Sequence, residues 1–108
     1  MITRVVLLQP MADVPFQTID DLFRDIESLR DEIPGFLSME RGENLKLEPY
    51  HHGFSIGFIV RFENRESLDT NQNHPDHKET GRSLIACSEG GSRGILVFDY
   101  EHASVEPL

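Results

Sequence analysis

GFSIGFIVRFE, residues 53–63, is the stretch whose reading decides the fold. Side chains alternate along a strand, so Phe54, Ile56, Phe58, Val60 and Phe62 share one face. Ser55, Gly57, Ile59, Arg61 and Glu63 fall on the other. Five large apolar groups demand a cover, since each one left in water forfeits about 1.5–3 kcal/mol. The opposite face is small at Ser55 and Gly57, which suits a helix packed close over it. A chain of 108 residues has few elements with which to cover both faces. The expectation is that a second copy of the protein covers the row from Phe54 to Phe62 and encloses an apolar space.

Working outward, Ile2 to Gln9 reads as a strand, with Arg4, Val6 and Leu8 on one face and Val5 and Leu7 on the other. Pro10 and Pro15 bracket a loop. From Thr18 the period becomes helical, with Ile19, Leu22, Phe23, Ile26, Leu29 and Ile33 forming one stripe. Thr18 is the expected N-cap, followed by Asp20 and Asp21 at the positive end of the helix dipole. Pro34-Gly35 stops this helix. Phe36 to Glu43 reads as a second strand, joined through a polar connection to the strand above as an antiparallel hairpin. Asn64 caps a short helix that Asn73-His74-Pro75 breaks. Pro75 then opens a further helix running to about Cys87. Gly90-Gly91 ends it, and ILVFDY (95–100) supplies a last strand. The tail, residues 103–108, carries no pattern.

The order strand–helix–strand–strand–helix–strand is that of an α+β, ferredoxin-like domain spanning residues 1–102. It has a four-stranded antiparallel sheet with helices on one face. Helices on one face leave the other bare. With Phe54, Ile56, Phe58 and Phe62 assigned to the bare face, the chain is expected to form a homodimer that presses two sheets together as an α/β barrel.

Composition narrows the function classes. A formal charge of −9 speaks against nucleic acid or an anionic membrane surface, both of which need clustered Lys and Arg. The one cysteine, Cys87, cannot form an internal disulfide and fits a reducing cytoplasm. No apolar run approaches the roughly 20 residues of a membrane span. The opening MITRVVLLQP is too short in its apolar part for a signal peptide.

The opening VVLL strand, IPGFLS after the first helix, GFSIGFIVRFENRESLD, the NHPDHKE segment and the closing ILVFDYE fall in a familiar order. From Arg4 to Glu101 the chain resembles the stress-responsive dimeric α/β-barrel (Dabb) domain proteins. The resemblance implies a homodimeric barrel whose protomers each have a cleft between sheet and helices. Some members act as polyketide cyclases. Their first-strand histidine corresponds to Arg4 here, a third-strand histidine to Ile56, and a tyrosine before the HPxH segment to Asn71. His74 and His77 are kept, and His77 aligns with the cyclase general base.

The candidate site residues follow. His77 shares a helix face with Gly81, Leu84 and Ser88, and reads either as a cleft histidine able to move a proton or as an anchor for the helix start. His74 reads as a capping or turn residue at the edge of the site. Arg4, on an otherwise apolar strand face, must be paired or kept wet. It either meets an acid such as Asp99 or Glu101 or holds a ligand's carboxylate. Val6, Leu8, Phe54, Ile56 and Phe58 form the expected apolar lining. No metal or cofactor is expected. His74, Asp76, His77 and the His51-His52 pair contain metal-ligating types, but their spacing fixes no third ligand. Gly90 to Gly94 precedes a strand and makes no phosphate loop. Cys87 reads as a small buried filler.

Three readings of function come out of this. One is a stress-response-type barrel binding a small apolar or aromatic ligand. Another is a cyclase- or lyase-like enzyme with His77 as base and Asn71 or Arg4 as oxyanion donor. A purely structural protein with a closed interior is the third.

Overall fold

A computed structural model describes residues 1–104. Its elements are β1 (Ile2–Leu8), α1 (Phe16–Ser28), β2 (Phe36–Glu43), β3 (Ile56–Phe62), α2 (Arg65–Asn73), α3 (Pro75–Ala86) and β4 (Ile95–Glu101). Short 3₁₀ turns at Leu29–Asp31 and Gly91–Gly94 extend α1 and lead into β4. The strands pair antiparallel in the order β2-β3-β1-β4. This is the expected ferredoxin-like arrangement. Of the expected tail, residues 105–108 lie outside the described residues.

The apolar row of β3 faces the protein's own helices, not a partner. Ile56, Phe58, Val60 and Phe62 are buried against the stripe of α1, with Ile19, Phe23, Ile26, Leu29 and Ile33 in the same core. Phe23 meets Phe58 edge-on at 5.0 Å between ring centroids, and Phe36 meets Phe62 at 5.3 Å. This reverses the face assignment made from the sequence. The physical reason is that α1 and the turn after it present five buried apolar residues, three of them on α1 itself, and the row of β3 fills the space beneath them.

The bare face is the other one. It carries Val5 and Leu7 of β1, Ile59 of β3 and Leu96, Phe98 and Tyr100 of β4, the β4 residues being 41%, 58% and 43% exposed. Gly57 also lies on this face, where a Cβ would stand 2.6 Å from the Val6 carbonyl oxygen. No helix packs over it. The small residue lets adjacent strands close up.

Helix boundaries follow local chemistry. Asn64 caps α2 by accepting the Ser67 N–H at 3.0 Å, and Pro75 occupies the first turn of α3, both as expected. The start of α1 differs from expectation. Pro15, extended at φ −62° and ψ 143°, is the N-cap, and the helix begins two residues before Thr18. Proline's fixed φ ends the loop without a side-chain cap. Asp20 therefore lies beyond the first turn, where it pairs with Arg24 at 3.0 Å and Arg41 at 3.3 Å.

Candidate functional site

The helix-covered side of the sheet holds a cleft of about 320 Å³ between the sheet and α3. Arg4 and Val6 of β1, Phe58 of β3 and Ile95 and Val97 of β4 line it from the sheet. Ile26 of α1 and His77, Gly81, Leu84 and Ile85 of α3 line it from above, with Ser92 from the turn before β4. Gly81 helps hold the space open: a Cβ built there meets no atom within 4 Å.

Arg4 sits under α3 because β1 alternates, with Val6 and Arg4 inward and Val5 and Leu7 outward. Its cross-strand neighbour on β4 is Asp99, and its Nη1 donates to Asp99 Oδ2 at 2.9 Å. The pairing alternative expected from the sequence is thus met by Asp99, while Glu101 lies 3.9 Å from Arg65. Burial lowers the pKa of the guanidinium and the Asp99 carboxylate opposes that shift. An unpaired cation at 9% exposure would cost several kcal/mol, so the fold depends on this ion pair.

His77 projects from the first turns of α3. Its Nδ1 stands 3.4 Å from Nδ2 of Asn71, the last buried residue of α2. That Asn71 nitrogen also donates to Gln72 Oε1 at 3.2 Å, which orients the amide. An amide nitrogen only donates, so Nδ1 of His77 accepts and the imidazole proton resides on Nε2. His77 also borders the cleft. Burial, reinforced by the nearby Arg4 charge and by His74, lowers the His77 pKa to about 4. The ring is neutral at physiological pH. Asn71 Oδ1 is buried with no hydrogen-bond partner among the described residues.

The other expected site residues are distributed differently. Val6 and Phe58 do line the cleft with Arg4 and His77. Leu8 is wholly buried in the core and does not line it. Ile56, paired with Leu8, lies at the far end of β3 near Phe16 and Ile19. Phe54 precedes β3 and borders a depression on the bare side with Tyr50, His51 and His52. These three fall away from the cleft because the inward row continues past α3 to the start of α1. Gly81 and Leu84 were placed on the His77 face but not named as lining, and Ile26, Ile85, Ser92, Ile95 and Val97 were missed by sequence reasoning. The repeat His77, Gly81, Leu84, Ile85 was the available signal, since helical spacing puts all four on one side.

His74 caps α3 through Nδ1, which accepts the Asp76 N–H at 3.1 Å. With Asp76 and Glu32 it forms a trio whose ligating atoms lie within 4.8 Å of one another. The capping bond places the His74 proton on Nε2, which faces Glu32 Oε2 at 3.8 Å, and the trio sits at the positive end of α3. Both features disfavour a cation there. His51 and His52 belong to the β2–β3 connection, where His51 Nδ1 accepts the Gly53 N–H and the His52 carbonyl accepts from Gln9.

Among the described residues no helix is long and apolar enough to cross a membrane. No curated protein matches the chain. Among solved structures, a dimeric ferredoxin-like protein of unknown function from Jannaschia is similar at 29% identity and TM-score 0.87, with 94% of this chain and 98% of that one covered. A protein from Arabidopsis thaliana matches at 23% identity and TM-score 0.82, over 99% of this chain and 100% of that one. The hydroxynitrile lyase from Passiflora edulis shares the fold at 17% identity and TM-score 0.78, covering 98% and 96%. The family model described as Stress responsive A/B Barrel Domain matches residues 2–102. The chain therefore belongs to the stress-responsive A/B barrel domain family.

Proposed function

We propose that the protein is a cytoplasmic homodimer of the stress-response type that binds a small apolar or aromatic ligand in the cleft between its sheet and α3. The observation that carries the reading is the cleft itself: seven apolar side chains, the open position at Gly81, and three side chains with polar groups, Arg4, His77 and Ser92. A few polar groups in an apolar wall orient a ligand without excluding it. The volume, about 320 Å³, stands near the lower end for small-molecule sites.

The dimer is supported by the exposed row Leu96, Phe98 and Tyr100 and by the similar Jannaschia protein, which is described as dimeric. The face that meets the partner is the Val5, Leu7, Ile59 side, back to back with the cleft. A strongly acidic chain offers little to nucleic acid, and a lone Cys87 is at home in a reducing compartment.

The test is to fill the cleft. Gly81→Phe is expected to abolish binding of a small aromatic probe such as ethylbenzamide, seen by NMR shifts at residues 77–85, while the fold is kept. Unchanged probe binding in that variant overturns the reading.

A catalytic reading rests on His77, neutral and bordering the cleft. With Nδ1 accepting from Asn71, the Nε2–H is a donor, which fits polarisation of a ligand oxygen. Service as a base requires the other tautomer. Loss of turnover with binding kept in His77→Ala is the result that favours an enzyme.

A further inference from the structure

Resting on the cleft as the ligand site, we propose that the ligand is anchored there by a carboxylate, held between the free donors of Arg4 and the Nε2–H of His77. Arg4 meets Asp99 through Nη1 alone, so among the described residues the rest of its fork has no acidic partner. Asp99 does not border the cleft; it borders a separate depression with Ile2, Arg65 and Leu68. The guanidinium thus stands between its counter-ion and the cleft. His77 borders the same space, and with Nδ1 accepting from Asn71 its one N–H is on Nε2.

The polar side chains around the cleft are consequently rich in donors. Arg4 has no acceptor, neutral His77 has its acceptor nitrogen in use, and only the Ser92 hydroxyl can accept. A ligand group that accepts at two oxygens matches such a pair, and charge assistance strengthens each bond. The remaining walls, Val6, Ile26, Phe58 and Leu84 among them, suit an aryl or alkyl body. A bound anion also offsets the burial that Asp99 alone compensates in the free protein. The ligand class is therefore an apolar monocarboxylic acid. A neutral alcohol or amide makes fewer charge-assisted bonds there.

The experiment compares three probes of one shape at pH 7, 4-ethylbenzoate, 4-ethylbenzamide and 4-ethyltoluene, by calorimetry with NMR shifts at residues 77–85 to locate them. The benzoate is expected to bind at least about ten-fold more tightly than the amide. The double variant Arg4→Gln/Asp99→Asn, which removes the ion pair without stranding a charge, should bring acid and amide within about two-fold. Equal affinity for acid and amide in the unaltered protein overturns the carboxylate anchor and leaves the cleft reading standing. So does an acid preference that survives the double change. If none of the three probes binds or shifts residues 77–85, the cleft reading falls as well. Should the double variant not fold, the His77 ring in the unaltered protein decides: the benzoate must raise its pKa, and a ring titration unmoved by saturating benzoate overturns the anchor.

Discussion

At the residue scale, His77 makes stability depend on pH in a defined direction. Its folded pKa of about 4 lies below the unfolded value near 6.5, so between these limits the unfolded chain holds a proton that the folded chain lacks. Stability contributed by the neutral ring is complete above about pH 6.5 and is lost as pH falls toward 4. Urea unfolding at pH 7 and pH 4.5 should show about 2 kcal/mol more acid loss in the natural protein than in His77→Gln, where the titration is absent. The same ring should show unprotonated Nδ1 in ¹⁵N spectra at pH 7, as its contact with Asn71 requires. Arg4 shows what single residues disclose in a sequence. Its need for an acid, and Asp99 as one of two candidates, could be reasoned from burial alone. The choice between Asp99 and Glu101 needed the β1–β4 register, in which Arg4 faces Asp99 directly.

At the element scale, α3 carries both the chemistry and the vacancy. Gly81 lies inside the helix with open space at its missing Cβ. Gly81→Ala is expected to raise unfolding stability by about 0.5–1 kcal/mol, the ordinary helix-interior gain, measured by denaturant titration. The capping oxygen of Asn64 gives the opposite case, and Asn64→Ala should cost about 1 kcal/mol. The α1 stripe, β2 and both helices after β3 were legible because periodicity, proline and Asn caps are local signals. The start of α1 was not. Thr18 is a good cap by type, but Pro15 already directs the chain into the helix, and a side-chain preference yields to a fixed backbone angle.

At the scale of the molecule, sequence reasoning found the sheet and an apolar face that the helices leave bare, yet named the wrong row for it. β3 displays a phenylalanine row that looks like the surplus, but α1 consumes it. β1 and β4 are apolar on both faces, so alternation alone could not say which row stays outside. The cleft suffered in turn: Val6 and Phe58 were placed correctly, and Leu8, Ile56 and Phe54 were drawn in from the same mistaken picture. Association can now be aimed at the right surface. Phe98→Asp should give a folded protomer of half the mass by sedimentation at micromolar concentration, since a charge in the middle of that patch opposes its burial. Phe54→Asp, outside the strands, should have the smaller effect.

The cross-strand alignment of β1 and β4 has a consequence for how this chain can change. Odd and even positions of β4 serve different customers, Val97 toward α3 and Asp99 toward Arg4 on the inner side, and Phe98 and Tyr100 outside. Removing one residue just before Ile95 and sliding the rest back would bring Tyr100 opposite Arg4 and carry Asp99 out to the face that Phe98 and Tyr100 leave. One lost codon would therefore strand a cation and plant an anion on the exposed apolar face of the sheet. Point substitutions along β4 can be absorbed one at a time, but a change in its length cannot.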